Sequence, residues 1–105
     1  MKLFLITLIT FLFVGTSLAQ DVTIRGQVHD KANGEPMAFE KVKLLNKDSV
    51  IVTGAVTDVN GIFSIPKVNK GNYILQVENM TYYTFTVNVE VKVEKDILDY
   101  NILLE

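Results

Sequence analysis

The chain has 105 residues, no cysteine, no tryptophan, one histidine and a formal net charge of −2. That length holds one domain, which excludes a multidomain enzyme, a kinase or a membrane transporter barrel. Without cysteine there is no disulfide framework, and without a basic stripe nucleic-acid binding is disfavoured.

The chain opens as an export signal. Met1-Lys2 is a short positive start, Leu3–Val14 is an apolar run of about twelve residues, and Gly15-Thr16-Ser17-Leu18-Ala19 follows. Secretory signals carry an apolar stretch of roughly 7–15 residues and small residues at the −3 and −1 sites, as Ser17 and Ala19 are. A membrane anchor needs about 20 apolar residues, and this run is shorter. The expected division is therefore a signal peptide over 1–19 and a single domain over 20–105. The mature domain is expected to carry no membrane span. Its charge becomes one unit more negative when Lys2 leaves.

From Val22 onward the apolar residues alternate with period two, and no stretch repeats at 3.6. Val22, Ile24, Gly26 and Val28 share one face of a first strand. Asp30-Lys31-Ala32-Asn33-Gly34-Glu35-Pro36 is a turn cluster centred on Asn-Gly. A second strand is expected over about Ala38–Asn46, and a third, rich in β-branched residues, over Val50–Asp58. Asp58-Val59-Asn60-Gly61 forms a tight turn before a short fourth strand, Ile62–Pro66. Gly71 precedes a fifth strand, Asn72–Asn79.

In the sixth strand Tyr83, Phe85, Val87, Val89 and Val91 share the inner face. Tyr82, Thr84, Thr86, Asn88 and Glu90 form its polar face. Glu94-Lys95-Asp96 turns into a last strand carrying Leu98, Tyr100, Ile102 and Leu104. Seven short strands with turn signals between them predict an all-β, antiparallel Greek-key sandwich.

Several segments in order carry a family resemblance. They are Ile24-Arg25-Gly26-Gln27-Val28, Gly34-Glu35-Pro36-Met37-Ala38-Phe39, Gly54-Ala55-Val56-Thr57-Asp58-Val59-Asn60-Gly61-Ile62-Phe63-Ser64-Ile65, and Gly71-Asn72-Tyr73-Ile74-Leu75. Together the set resembles the carboxypeptidase regulatory-like domain, a transthyretin-like (prealbumin-like) sandwich. Two departures are local: Lys67-Val68-Asn69-Lys70 lacks the family's frequent prolines, and Met80-Thr81-Tyr82 replaces Ile-Gly-Tyr.

The resemblance implies a domain of the kind found beside metallocarboxypeptidases, at the N-termini of TonB-dependent outer-membrane receptors, or free-standing and secreted. The free-standing, exported form is the expectation, in the periplasm or at the surface of a Gram-negative bacterium. Thr57, Asp58, Asn60, Gly61 and Phe63 are read as a structural turn motif. Asn60-Gly61 supplies the positive φ, Thr57 and Asp58 bond to turn amides, and Phe63 plugs the sandwich.

Chemistry is scarce in the sequence. Catalytic zinc of the carboxypeptidase type needs two histidines and a glutamate, and His29 is the only histidine. Transthyretin-like hydroxyisourate hydrolases resemble this chain but use several histidines and a Tyr-Arg-Gly-Ser tail, where Tyr100-Asn101-Ile102-Leu103-Leu104-Glu105 stands here. Asp58-x-Asn60-Gly61 lacks the remaining oxygens of a calcium loop. No catalytic, cofactor-binding or metal residue is therefore assigned.

The expected function is non-catalytic: an accessory module binding an envelope or outer-membrane protein through a sheet face or edge. The alternative is glycan binding, with Tyr82 as a stacking platform and Thr84, Thr86 and Asn88 as hydrogen-bonding neighbours. A small transthyretin-like hydrolase is the weaker alternative. Lys41, Lys43, Lys92 and Lys95 are charges of the kind that discourage edge pairing.

Overall fold

The computed structural model describes residues 21–92 and 96–105. The expected signal peptide, and Glu94 and Lys95 of the expected charged turn, lie outside the described residues. Seven strands follow one another: β1 (Val22–Asp30), β2 (Lys41–Leu45), β3 (Ile51–Val56), β4 (Ile62–Val68), β5 (Gly71–Val77), β6 (Phe85–Val91) and β7 (Ile97–Leu104). They form a three-stranded sheet of order β4-β1-β7 and a four-stranded sheet of order β3-β2-β5-β6. No helix of the described residues is long and apolar enough to cross a membrane.

Alternation builds the core as a sandwich requires. Val22, Ile24, Val28, Phe63, Ile65, Ile102 and Leu104 meet Val42, Leu44, Leu75, Val77, Val89 and Val91, all fully or nearly buried. Among the described residues no buried side-chain nitrogen or oxygen lacks a hydrogen-bond partner.

The antiparallel expectation holds for β1–β4, β2–β3, β2–β5 and β5–β6. It fails for β1–β7, which pair in parallel from Thr23↔Ile97 to Asp30↔Leu104. β7 follows a strand of the other sheet, so it enters beside β1 without a hairpin dictating its direction. Gly26 permits the close ladder there. A Cβ on Gly26 would lie 1.9 Å from the Tyr100 carbonyl oxygen and 3.0 Å from the Phe63 ring.

Strand limits also move: β3 ends at Val56 and β5 at Val77, each two residues before the expected end. β2 starts at Lys41 rather than Ala38, because residues 37–40 are drawn aside by Thr57. β4 runs on to Val68 through a slip in its pairing with β1. Tyr83, expected on the inner face, precedes β6 and is 80% exposed.

Candidate functional site

The turn motif acts through two separate hydrogen-bonding sets. Asp58 Oδ1 accepts the amides of Asn60 at 2.8 Å and Ile62 at 3.0 Å, and Gly61 takes φ +75°. Thr57, 1% exposed, turns instead to the β1–β2 connection. Its Oγ1 accepts the Glu40 amide and donates to the Met37 carbonyl, both at 2.8 Å. Its backbone carbonyl accepts the Phe39 amide at 3.0 Å. This clamp holds Phe39 at φ +60° with its ring 70% exposed. Phe63 is buried in the core beside Gly26.

The predicted ligand residues separate. Thr86 and Asn88 project from β6 and are exposed, as is Thr84 just before it. Register places Thr86 opposite Gln76, Asn88 opposite Ile74 and Glu90 opposite Asn72, while Gln76 faces Lys43 across the sheet. The result is a polar outer face running over β2, β5 and β6. At one end, a depression of about 490 Å³ is bounded by Lys47, Asn72, Ile74, Asn88 and Glu90. Ion pairs on this face are loose: Lys43–Glu78 at 3.9 Å and Lys92–Glu90 at 3.5 Å.

Tyr82 does not join that face. It lies in the β5–β6 connection, half-buried against the core, and its hydroxyl donates to Asp30 Oδ2 at 2.6 Å. The phenol holds the Asp30 carboxyl below its ordinary range, with the Ala32 amide adding to the effect. Asp30 in turn raises the Tyr82 phenol, with desolvation in support. Tyr82 is thus held protonated at neutral pH and serves as a donor. A second depression, about 520 Å³, opens beside it between Asp30, Lys31, Thr81 and Glu105. Lys31 Nζ and Glu105 Oε2 close one wall at 2.8 Å.

His29 sits near the end of β1 on the outer face, with Nδ1 3.1 Å from Asn101 Oδ1. Nearby, Arg25 Nε donates to Asp99 Oδ1 at 2.6 Å across the β1–β7 ladder. Among the described residues no cluster of three or more His, Asp or Glu is placed to hold a metal ion. The arrangement offers hydrogen-bonding surface and sheet edges, with Tyr82–Asp30 as a structural tie.

Sequence reasoning missed the edges. β3, β6, β4 and β7 are the outer strands. Lys41 and Lys43, read as edge charges, lie on β2 inside the four-stranded sheet, so they leave the β3 edge unguarded. The β-branched run Val50–Val52 gives no signal of an edge, because such residues suit a covered strand equally well.

Residues 23–105 match the family profile of the carboxypeptidase regulatory-like domain. A comparison with curated protein sequences finds no match. Among solved structures the chain is similar to BcpA, the major pilin subunit of Bacillus cereus, at TM-score 0.68 and 16% identity over 81% of this chain and 30% of the pilin. The chain thus spans under a third of the pilin's length. It is similar to a candidate carbohydrate-binding protein from Bacteroides uniformis at TM-score 0.63 and 20% identity, covering 81% of this chain and 41% of that one. It is also similar to the 5-hydroxyisourate hydrolase of Klebsiella pneumoniae at TM-score 0.63 and 18% identity, covering 78% and 88%. At these identities the likeness is one of fold.

Proposed function

The chain belongs to the carboxypeptidase regulatory-like domain family, and from that premise we propose that it is a non-catalytic accessory module of the cell envelope, binding a protein partner through an exposed sheet surface. In this reading the chain is exported through residues 1–19 and acts as the domain 20–105, in the periplasm or at the surface of a Gram-negative bacterium. The observation that carries the reading is the outer face of β2, β5 and β6. Lys43, Gln76, Thr86, Asn88 and Glu90 line it, and no other element of the described residues packs over it. A polar, uncovered sheet face with few firm ion pairs suits a wet, adaptable protein interface. Fold alone leaves the chemistry open, and the single histidine supports a reading without catalysis.

Crosslinked capture of the tagged protein from its own envelope, followed by mass spectrometry, tests this. One envelope or outer-membrane protein should be recovered, and Thr86→Arg with Asn88→Arg should abolish its recovery while the fold is retained. Equal recovery with the double variant would overturn the assignment to this face.

Glycan binding is the second reading, supported by the depression beside Asn88 and by the likeness to the Bacteroides uniformis protein. Tyr82, whose hydroxyl is tied to Asp30, lies off this face and borders the other depression. Titration with envelope glycans, followed by amide chemical shifts of Asn72, Asn88 and Glu90, tests it. No shift at these residues ends that reading.

A further inference from the structure

β3 is an edge strand in which nearly every residue is exposed. Only Ala55 packs in part against the core, while Ile51, Val52 and Val56 are 58%, 52% and 57% exposed. Among the described residues β3 pairs with β2 and no other strand. The direction of its free groups follows from Thr57, whose amide donates to the Glu40 carbonyl and whose carbonyl accepts the Phe39 amide. Thr57 therefore faces β2, and along an antiparallel strand these directions alternate. The backbone groups of Val56 and Gly54 point away from β2 into open space.

The other three edges carry devices against pairing. β4 has Pro66, then Lys67 at φ +58° where its ladder with β1 slips. β6 carries Glu90 with Lys92 beside it, and β7 carries an exposed Asp99. Only β3 has none: from Ser49 to Thr57 there is no charged residue and no proline.

We infer that the β3 edge is a self-association surface, pairing antiparallel with β3 of a second copy of this chain. An antiparallel two-fold pair sets the same residues on both sides. Any charge near the centre of such a strand would meet its own like charge, and β3 is the edge where that cost is absent. Apolar β-branched side chains at Ile51, Val52 and Val56 then cover one another. Gly54, where a Cβ would lie 2.6 Å from the Val42 carbonyl oxygen, adds no side chain to obstruct the approach.

The two four-stranded sheets become one, with the two-fold axis perpendicular to it. Both polar faces of β5 and β6 then point the same way, so the dimer presents its binding surface twice and gains avidity for a clustered partner. The pairing stands independently of the proposed partner, because it leaves that face uncovered. A strand pair with three or four apolar side chains buries less than the roughly 1,200 Å² of a standard interface, so the dimer is weak.

Sedimentation velocity of the purified protein between about 10 μM and 1 mM should show a concentration-dependent monomer–dimer equilibrium. Amide exchange should slow with concentration at Gly54 and Val56 and not at Glu90 or Asp99. Val56→Pro removes an outward donor without touching the β2 ladder, and Val52→Lys supplies the missing edge charge. Each should weaken association at least about tenfold with the fold intact by circular dichroism, whereas Thr86→Arg should leave association unchanged. A wild-type monomer at 1 mM would overturn the inference. So would protection confined to β6 or β7, or undiminished dimerisation of both folded β3 variants.

Discussion

Tyr82 donates its hydroxyl to Asp30 across a separation of 52 residues, at 2.6 Å, tying the β5–β6 connection to the end of β1. The bond couples two titrations of opposite sense. Asp30 is held below its ordinary value chiefly by the phenol, so its contribution is complete above the unfolded value of about 3.9 and is lost as pH falls through the lowered folded value. Tyr82 is raised chiefly by Asp30, so its contribution is complete below about 10 and is lost as pH rises through the raised folded value. Melting temperatures of wild type and Tyr82→Phe should differ by a constant amount at neutral pH. The gap should close at both extremes. A gap independent of pH would show that the bond contributes nothing.

Thr57 answers for two backbone groups of another loop, the Glu40 amide and the Met37 carbonyl. Thr57→Val keeps the shape and removes both bonds in a buried position. Leaving such groups unsatisfied costs about 1–3 kcal/mol, and urea unfolding should show that loss. Thr57→Ser keeps the hydroxyl and should recover most of it. A loss for Thr57→Ser with none for Thr57→Val would assign the stability to the methyl group instead.

Much of this architecture is legible in the sequence because period-two alternation reports which face is buried. Val22, Ile24 and Val28, or Val89 and Val91, could be assigned inward without knowing their partners. Alternation is silent on direction, since parallel and antiparallel ladders bury the same residues, and so it carries no sign that β1 and β7 run parallel. It is also silent on edges. Val50, Ile51 and Val52 have the composition of a buried strand, yet all are more than half exposed, because β-branched residues suit a pleated surface whether or not anything covers it. Alternation alone puts Tyr82 on the polar face with Thr84, Thr86 and Asn88. The turn before β6 breaks that register, and only a tertiary contact with Asp30 fixes where the ring goes.

Gly26 offers a sharp test of the parallel ladder. A methyl group there would meet the Tyr100 carbonyl oxygen at 1.9 Å, backbone rather than a movable side-chain tip, with the Phe63 ring at 3.0 Å. β7 must move away from β1 or Phe63 must leave its rotamer. Overpacking of this kind costs about 1–3 kcal/mol and sometimes more. Gly26→Ala should therefore lower stability by at least that amount, with amide exchange rising first along β7. Unchanged exchange in β7 would place the relaxation at Phe63.

Phe39 shows the opposite case, a strained residue whose side chain gains little from the fold. Its φ of +60° is the left-handed region, and its ring is 70% exposed. The clamp imposes this conformation through backbone groups, by the Phe39 amide to Thr57 and the Glu40 amide to the Thr57 hydroxyl. A left-handed non-glycine residue costs about 1–2 kcal/mol, and glycine adds about 0.5–1 kcal/mol of chain entropy. Phe39→Gly should thus raise stability by roughly 0.5 kcal/mol, the difference between the two. A fall in stability would mean that the exposed ring packs on its surroundings more than its exposure indicates. The same variant made in a Thr57→Val background should lose most of its gain, since the loop is then free to leave the left-handed conformation.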